Sequence, residues 1–328
     1  MAHENLRELE DQLIELRQTY QEVISETREF EDPQLQNGPI NAAEVRLSAL
    51  RHEIAEVEKK IQKSRKQNRI RKKRPFVYFC RGAFLLRRSG GISMKPIFAV
   101  GDVHGEITLL DELLENWDKE QERLLFVGDL IDRGENPAAV LRRVKALADQ
   151  TGAIVLKGNH EQMLLDFLEN PSGKMHYYLS QGGMETIQSL IADSLDKKMT
   201  PEGLAERVKE EAAELIDFIR NLPLYYEEGK YVFVHAGVDL TKKDWHDTEE
   251  RDFFWIREPF LFGQNKTGKV FIFGHTPVQN LHIDESSGIW VSEDKTRLDI
   301  DGGAVFGGEL HGVVVEEKVI TKSFSVKK

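Results

Sequence analysis

The sequence predicts an α/β domain over residues 95–328, preceded by an α-helical coiled-coil hairpin over residues 1–70 and a linker over residues 71–94. From residue 95 onward, short β-rich runs alternate with amphipathic helical stretches, which is typical of an α/β domain. Before the linker, apolar residues recur in alternating steps of three and four, which is typical of a helical seam. Glycine or a polar residue directly follows each of the clearest strands, and this third observation bears on function.

The overall composition narrows the class of protein. Hydrophobic residues make up 40% and charged residues 31% of the 328 residues, as in globular proteins. The net charge of -11 argues against general DNA binding as the main activity. The single cysteine, Cys80, excludes an internal disulfide framework and a thiolate-rich zinc site. A metal site would therefore use His, Asp, Glu or Asn.

Neither an export signal nor a transmembrane span is expected. The first ten residues, MAHENLRELE, carry acidic residues where a secretory signal has basic and then apolar ones. The most apolar window, residues 75–86, contains Arg81 and is shorter than the roughly 20 residues that span a bilayer. Together with the single cysteine, these features favour a cytoplasmic protein.

The helical seam predicts two helices that form an antiparallel hairpin. Its apolar positions are Leu6, Leu9, Leu13, Leu16, Tyr20, Val23, Leu47, Leu50, Ile54, Val57 and Ile61. The segment EDPQLQNGPIN between the two runs contains prolines and an Asn-Gly pair, which end a helix. Because about three heptads per arm are marginal alone, we expect pairing within the hairpin, in a homodimer or with a partner protein. An inert appendage is the alternative.

A strongly basic segment, KKIQKSRKQNRIRKKR, covers residues 59–74. We favour a solvated helix end that leads into the linker. Contact with a polyanion, either RNA or an anionic membrane surface, is the alternative. Met94 stands directly before the first strong strand, which suggests the hypothesis of an alternative start at that residue.

Five strands and three helices are the clearest elements of the α/β domain. The strands are predicted over residues 96–100, 123–127, 153–157, 231–234 and 270–273. Helices are predicted over residues 108–119, 137–149 and 201–220. Asn136 and Pro137 fit the cap and the first turn of the second helix.

The five strands are followed, in chain order, by GDVHG, GDLIDRG, GNHE, HAG and GHTP. Taken singly, each motif is better explained as a turn or as a buried histidine. The carboxyl ends of strands in α/β sheets form a common crevice, and glycine there lets backbone approach closely. We therefore expect six polar residues to converge, namely Asp102, His104, Asp129, Asn159, His235 and His275.

This set of three imidazoles, two carboxylates and one amide suits manganese, iron or zinc better than calcium, which prefers oxygen ligands. Six ligands exceed the needs of one open catalytic ion. The set therefore predicts two divalent metal ions about 3.5 to 4 Å apart that share a carboxylate and a water. Manganese is the preferred cofactor, with iron or zinc as alternatives. The charge of Asp129, directly behind an apolar strand, would be neutralised by both cations.

In order and approximate spacing over residues 95–303, these motifs resemble the phosphoprotein phosphatase branch of the calcineurin-like metallophosphoesterases. That branch includes bacterial serine/threonine protein phosphatases and diadenosine tetraphosphatases. The resemblance implies a sandwich of two β-sheets flanked by helices. It implies that one metal is held by Asp102, His104 and Asp129. It implies that the other metal is held by Asp129, Asn159, His235 and His275.

A metal-bridging hydroxide would attack phosphorus in line with the leaving oxygen. His160, next to the ligand Asn159, is placed to protonate the leaving group, and Asp132 to orient its ring. The resemblance implies the same two roles. The planar guanidinium of Arg133 suits phosphate binding. Arg257 resembles the family's second phosphate-binding arginine, although the motif that carries this resemblance is shorter. The alternative is that Arg257 forms an ion pair at the surface.

Three smaller features leave alternatives open. Residues 181–186, which include two glycines and Thr186, resemble a bacterial pattern beside the pocket, and a plain helix start is the alternative. The aromatic residues Trp245, His246, Phe253 and Phe254 either line a substrate groove or belong to the core, which we favour. Residues 301–303 form a turn that we interpret as structural.

The sequence therefore predicts a dimetal-dependent phosphatase of phosphate monoesters. Phosphoserine or phosphothreonine proteins are the favoured substrates, and small phosphoesters are possible ones. A symmetrical diadenosine tetraphosphate hydrolase is the first alternative, since it would use the same metal motifs. A coiled-coil scaffold protein with a vestigial phosphatase domain is the second, and the complete set of ligand residues argues against it.

Overall fold

The computed structural model describes Leu50, Val57, Lys60 and residues 95–191, 199–282, 284–316 and 319–328. Leu50 and Val57, two positions of the predicted seam, are helical and buried. The hairpin, the basic segment, the linker and Met94 otherwise lie outside the described residues. Among the described helices, none combines the length and the apolar character that crossing a membrane requires.

The described residues form ten β-strands. In chain order they are β1 (Ile97–Val100), β2 (Arg123–Phe126), β3 (Ile154–Val155), β4 (Tyr225–Glu228), β5 (Tyr231–Val234), β6 (Val270–Phe273), β7 (Trp290–Val291), β8 (Arg297–Asp299), β9 (Leu310–Glu316) and β10 (Val319–Val326). The five strands predicted from the sequence are confirmed as β1, β2, β3, β5 and β6. The other five lack a strong apolar run or pair with distant parts of the chain.

Within the described part of residues 95–328, nine α-helices connect these strands. In chain order they are α1 (Ile107–Leu114), α2 (Pro137–Thr151), α3 (Asn159–Glu169), α4 (Pro171–Ser180), α5 (Gly183–Leu190), α6 (Pro201–Glu211), α7 (Ala213–Arg220), α8 (Glu250–Trp255) and α9 (Glu258–Leu261). The predicted cap of α2 is confirmed, because the Asn136 side chain accepts a hydrogen bond from the backbone N–H of Ala139. The single helix predicted over residues 201–220 was wrong, since Ala212 separates α6 from α7.

The strands form two five-stranded sheets. The first has the order β10-β9-β1-β2-β3, and the second has the order β4-β5-β6-β8-β7. In the first sheet β1, β2 and β3 are parallel, and in the second β5, β6 and β8 are parallel. Antiparallel strands complete both sheets at their edges. Within each sheet, the carboxyl ends of the parallel strands therefore lie on the same side, where their loops can meet.

The two sheets pack face to face and are flanked by helices, as the resemblance implied. Ile97 and Ala99 of β1 point into the core between the sheets, where they meet residues such as Phe233 of β5. Phe98 and Val100 point the other way, into the core beneath the helices. This alternation follows from the two-residue period of a strand. A third apolar cluster covers the outer face of the second sheet.

Candidate metal centre

The loops at the carboxyl ends of the strands have a backbone that few residues adopt. Five predicted site residues have positive φ values, namely His104 (44°), Asp129 (50°), Asp132 (69°), Arg133 (70°) and His275 (71°). Such conformations cost free energy in residues other than glycine and concentrate at functional sites. The neighbouring glycines are also required, because a Cβ atom at Gly158 would overlap the Asp129 carboxylate.

Asp129 lies at the middle of the site, and its two carboxylate oxygens face different groups. Oδ1 is 3.4 Å from Nε2 of His235, whereas Oδ2 is 3.6 Å from Nε2 of His104 and 4.0 Å from Nε2 of His160. Asp129 belongs to both clusters of side chains in the described part of the chain that can hold a metal ion. We call Asn159, His235 and His275 the imidazole group, and His104, Arg133 and His160 the arginine group.

The imidazole group gathers its ligand atoms around one oxygen. Oδ1 of Asn159 is 2.9 Å from Nε2 of His235 and 2.8 Å from Nδ1 of His275. Ligand atoms that each lie about 2.1 Å from a common cation are separated from one another by about 3 Å. The spacing in this group fits a bound divalent cation.

The protonation of His235 supports the same interpretation. Its Nδ1 lies 3.0 Å from the carbonyl oxygen of Val127, which can only accept, so Nδ1 carries the hydrogen. In the neutral ring Nε2 then presents a lone pair to the Asn159 oxygen. A proton or a cation is needed between two such acceptors. Burial lowers the pKa of His235, but the charge and hydrogen bond of Asp129, together with the charge of Glu161, raise it above its usual value.

Asp102, which follows β1 of the first sheet, contacts the backbone of His275. Its Oδ2 accepts a hydrogen bond of 2.9 Å from the backbone N–H of His275. Within the described residues, Oδ1 of Asp102 and Nε2 of His275 are buried without a hydrogen-bond partner. Burial raises the pKa of Asp102 well above its usual range, and the charges of Asp301 and Asp129 add to this. A cation beside these atoms would compensate for their burial.

His104 faces Asp129 from the opposite side. Its Nδ1 donates to the carbonyl oxygen of Ile131 at 2.7 Å, which leaves the lone pair of Nε2 directed at the site. Burial and the neighbouring His160 lower the pKa of His104 to about 3, so the ring is neutral near pH 7. Nη1 of Arg133 donates to this Nε2 at 2.8 Å. The guanidinium therefore occupies the position where a cation would meet His104.

His160 and Asp132 form a buried pair. Nδ1 of His160 is 2.6 Å from Oδ2 of Asp132, so Nε2 points toward Asp129. Burial raises the pKa of Asp132 well above its usual value, and hydrogen bonds from Thr186 and Tyr178 oppose that rise. Burial also lowers the pKa of His160 to about 4. A negatively charged substrate beside the ring would raise that pKa.

The two arginines differ in how firmly they are held. Arg133 is half-buried, and besides His104 its guanidinium contacts the face of the Phe306 ring, with 5.1 Å to the ring centroid. Arg257 is exposed, and its Nη2 lies 3.4 Å from the carbonyl oxygen of His275. Both guanidinium groups border the centre, and Arg133 is the more strongly positioned of the two.

A groove with a volume of about 650 Å³ opens beside Arg133. Charged and polar side chains dominate its lining, including Glu106, Arg142, Glu185 and Lys328. Lys328 is paired there with Glu106, 2.9 Å away. The groove has room for part of a substrate larger than a phosphate group.

Sequence reasoning assigned no role to two buried side chains of the site. Glu161 accepts hydrogen bonds from the backbone N–H groups of Asp129, Leu130 and Gly158 at 2.8 to 2.9 Å. Burial and the Asp129 charge raise its pKa to about 7. Tyr178 donates to Oδ1 of Asp132 at 2.8 Å. Glu161 stands inside the GNHE motif, which was the available signal, whereas nothing in the sequence singled out Tyr178.

The aromatic residues and the turn at residues 301–303 that the sequence singled out have structural roles. Trp245, Phe253 and Phe254 are buried in the outer core of the second sheet, which confirms the core interpretation, while the His246 ring stacks on Trp245 at the surface. Asp301 accepts a hydrogen bond from the backbone N–H of Gly303, which fits a structural turn. Burial raises the pKa of Asp301 to about 6.

Comparisons with known proteins agree with this geometry. The sequence profile described as calcineurin-like phosphoesterase matches residues 95–312. The chain is 30% identical to serine/threonine-protein phosphatase 1 of Salmonella typhimurium over 66% of this chain and 90% of that protein. It is 33% identical to the symmetrical bis(5′-nucleosyl)-tetraphosphatase of Dechloromonas aromatica, over 43% of each chain. It is 26% identical to an asymmetrical bis(5′-nucleosyl)-tetraphosphatase of Anoxybacillus flavithermus, over 64% of this chain and 86% of that one.

The family uses a centre of two metal ions, and the described residues contain two clusters that share Asp129 and can hold such ions. The unpartnered oxygen of Asp102 and the mixture of imidazole and carboxylate donors fit that requirement. The chain is a hydrolase and belongs to the calcineurin-like phosphoesterase family.

Proposed function

We propose that the protein hydrolyses phosphate monoesters with the help of two divalent cations, and that phosphoserine and phosphothreonine in proteins are its main substrates. The observation that carries this proposal is the division of the Asp129 carboxylate, whose two oxygens face two separate ligand groups. In this proposal Asp102, His104 and Asp129 hold one cation. Asp129, Asn159, His235 and His275 hold the other. Manganese suits the mixed nitrogen and oxygen donors, as do iron and zinc.

Two divalent cations bound there would neutralise phosphate charge and make a nucleophilic water available near neutral pH. The protein's own residues supply the rest of the chemistry. Arg133, which borders both the centre and the groove, binds the substrate phosphate through its planar guanidinium. Arg257 assists from the exposed side. The guanidinium of Arg133 must leave Nε2 of His104 before that nitrogen can act as a ligand.

In this proposal His160 protonates the leaving oxygen. Its Nε2 points toward Asp129, while Asp132 fixes the ring through Nδ1. A proton donor matters most for a poor leaving group such as the serine alkoxide, and least for p-nitrophenolate, which leaves without a proton. His160 should therefore be needed more for phosphoserine than for p-nitrophenyl phosphate.

The relatives support two substrate classes. The similarity to the Salmonella serine/threonine-protein phosphatase extends over 90% of that protein, which favours a phosphoprotein substrate. The similarity to the symmetrical bis(5′-nucleosyl)-tetraphosphatase extends over 43% of that protein. Diadenosine tetraphosphate is therefore the second candidate substrate. The groove beside Arg133 has room for either a peptide segment or part of a dinucleotide.

The first experiment tests metal dependence and the acid. Purified protein is assayed on p-nitrophenyl phosphate and on a phosphoserine peptide, after chelation and after addition of manganese. We expect chelation and Asp102→Ala to abolish activity on both substrates. We expect His160→Ala to lower kcat about 10²-fold or more on the peptide and far less on p-nitrophenyl phosphate. His176→Ala, an exposed histidine of α4, is the matched control. Full activity after rigorous chelation would overturn the proposal.

The second experiment separates the substrate classes. It compares kcat/KM for phosphoserine, phosphothreonine and phosphotyrosine peptides and for diadenosine tetraphosphate at one manganese concentration. The proposal predicts the highest values for phosphoserine or phosphothreonine. A clear preference for the dinucleotide would instead establish the second candidate.

A further inference from the structure

Residues 181–186 lead from the end of α4 into the first turn of α5, where Thr186 contacts Asp132. Oγ1 of Thr186 accepts a hydrogen bond of 2.8 Å from the backbone N–H of Asp132 and donates one of 2.5 Å to its Oδ1. One threonine thus holds both the backbone and the carboxylate of the same residue. Thr186 is fully buried, so no water competes for these contacts.

Tyr178 reaches the same carboxylate oxygen from α4. Its hydroxyl donates to Oδ1 of Asp132 at 2.8 Å, and the residue is 1% exposed. Gly183 makes room for this ring, because a Cβ atom at Gly183 would lie 2.6 Å from it. The ring also stacks on Phe167 of α3, with 5.6 Å between the centroids. The tyrosine is therefore fixed in position by packing.

The backbone of Gly182 supports the residue next to Asp132. Its carbonyl oxygen accepts a hydrogen bond of 3.0 Å from the N–H of Arg133. Asp132 and Arg133 have φ values of 69° and 70°, a conformation that persists only where surrounding contacts hold it. Residues 178–186 thus contact the backbone of both residues and the carboxylate of Asp132.

The carboxylate of Asp132 divides its two oxygens between two tasks. Oδ1 receives the hydroxyls of Tyr178 and Thr186, and Oδ2 is left for Nδ1 of His160. Two donors on one oxygen fix the plane of the carboxylate, and that plane sets the direction of the imidazole. If the hydroxyls only compensated for the buried charge of the carboxylate, any two donors on either oxygen would suffice.

We infer that Tyr178 and Thr186 are positioning residues for the reaction, which act by orienting the Asp132 carboxylate and, through it, the proton-donating ring of His160. This inference rests on the proposed function of His160 and goes beyond it. It assigns a role to the motif at residues 181–186, in which Gly183 admits the tyrosine ring and Thr186 binds the aspartate. The competing explanation is that both hydroxyls merely stabilise a buried charge.

The test measures kcat on a phosphoserine peptide and on p-nitrophenyl phosphate with full-length, manganese-loaded protein. Tyr178→Phe, which removes one oxygen atom, should lower kcat about tenfold on the peptide and less than about twofold on p-nitrophenyl phosphate. Thr186→Val should act in the same direction and more strongly. Thr186→Ser, which keeps the hydroxyl, should restore activity to within about twofold of the original chain. Tyr177→Phe, on the exposed neighbouring tyrosine, is the matched control.

A double-mutant cycle with His160→Ala separates the two explanations. If the hydroxyls act through His160, adding Tyr178→Phe to His160→Ala should change kcat on the peptide by less than about twofold. An equal loss on both substrates, or a full tenfold loss in the His160→Ala background, would overturn the inference. Tyr178→Phe carries this test even if Thr186→Val fails to fold.

The outcome also distinguishes the inference from the proposed function. A selective effect of His160→Ala on the peptide, with equal effects or none from Tyr178→Phe, overturns the inference and leaves the acid role of His160 in place. An equal effect of His160→Ala on both substrates overturns the acid role, and the inference fails with it.

Discussion

The imidazole group and the arginine group, on either side of Asp129, differ in the charge that they place beside its carboxylate. In the imidazole group, neighbouring atoms are ligand atoms about 3 Å apart, as around a cation. In the arginine group, the guanidinium of Arg133 already contacts Nε2 of His104. One group therefore contains ligands that need a positive charge, and the other contains a positive charge of its own.

This difference suggests different roles for the two sides of the Asp129 carboxylate, one in binding a cation and the other in binding the substrate phosphate. The imidazole group is built from one amide and two imidazoles beside the Asp129 carboxylate, so a cation would bind there without displacing a side chain. In the arginine group a cation competes with Arg133 for His104, and a phosphate that attracts the guanidinium would release His104. Binding of phosphate and of the cation at His104 should then favour each other, as linked equilibria require.

The largest effect is expected where the two groups meet. Asp129→Asn keeps the shape of the side chain but removes the charge that both groups share, so we expect kcat/KM on p-nitrophenyl phosphate to fall by about 10³-fold or more. The number of manganese ions bound per chain, measured by elemental analysis, should fall as well. Asp149→Asn, which alters an exposed aspartate paired with Lys145, is the matched control. Two tightly bound ions in Asp129→Asn would contradict the shared role.

The next effect separates the arginines. Arg133→Ala should raise KM about tenfold to a hundredfold, because a charge-assisted bidentate contact to phosphate is lost. Arg257→Ala should raise KM by no more than about threefold, since that side chain is exposed and screened by solvent.

Calorimetry of manganese binding tests the same difference between the two arginines. Without substrate, Arg133→Ala should bind manganese more tightly than the original chain, because His104 loses its competing partner. Arg257→Ala provides the control, since its contact is to a backbone carbonyl and not to a ligand nitrogen. Unchanged manganese affinity in Arg133→Ala would argue against competition at His104.

A comparison of Asp129 with Glu161 shows what the sequence can and cannot predict. Asp129 follows an apolar strand and a glycine, so local sequence reveals it. Glu161 sits in the first turn of a helix, where acidic residues are common for local reasons. Its partner, the backbone N–H of Asp129, lies 32 positions earlier, and only the fold brings the two together.

Tyr178 and strand β9 were missed for the same physical reason. Tyr177 and Tyr178 are adjacent in α4, yet one is 48% and the other 1% exposed, and helical periodicity alone did not decide which faces inward. Strand β9 pairs with β1, so that Val315 lies opposite Ile97 at the other end of the domain sequence. Contacts between distant segments leave no local pattern, whereas the strand-end motifs do.

The third effect is on stability. Glu161→Gln replaces a carboxylate that accepts three backbone hydrogen bonds with an amide whose NH₂ group cannot accept. We expect the free energy of unfolding to fall by about 1 to 3 kcal/mol, measured by urea denaturation of the manganese-loaded protein. Glu169→Gln, at the exposed end of the same helix, should change it by less than about 0.5 kcal/mol. Equal effects would mean that the three contacts contribute little.

The smallest effect concerns a buried histidine outside the two groups. His311 of β9 contacts Oγ of Ser325 at 3.0 Å and the carbonyl oxygen of Ser287 at 2.5 Å, and burial lowers its pKa below the usual 6.5. As the pH falls through 6.5, the unfolded chain takes up a proton that the folded protein does not, so stability is lost toward acid. This loss cannot exceed about 1.4 kcal/mol per pH unit for one group.

Replacing His311 with glutamine should therefore flatten the fall in stability below pH 6.5, measured as urea midpoints across that range. His246 supplies the opposite case, because hydrogen bonds from its ring to Asp244 and Glu227 raise its pKa above 6.5. Its contribution is present below pH 6.5 and disappears as the pH rises through the raised pKa, so His246→Gln should lose stability mainly in acid. If both variants changed the pH dependence in the same direction, burial and ion pairing could not explain their pKa shifts.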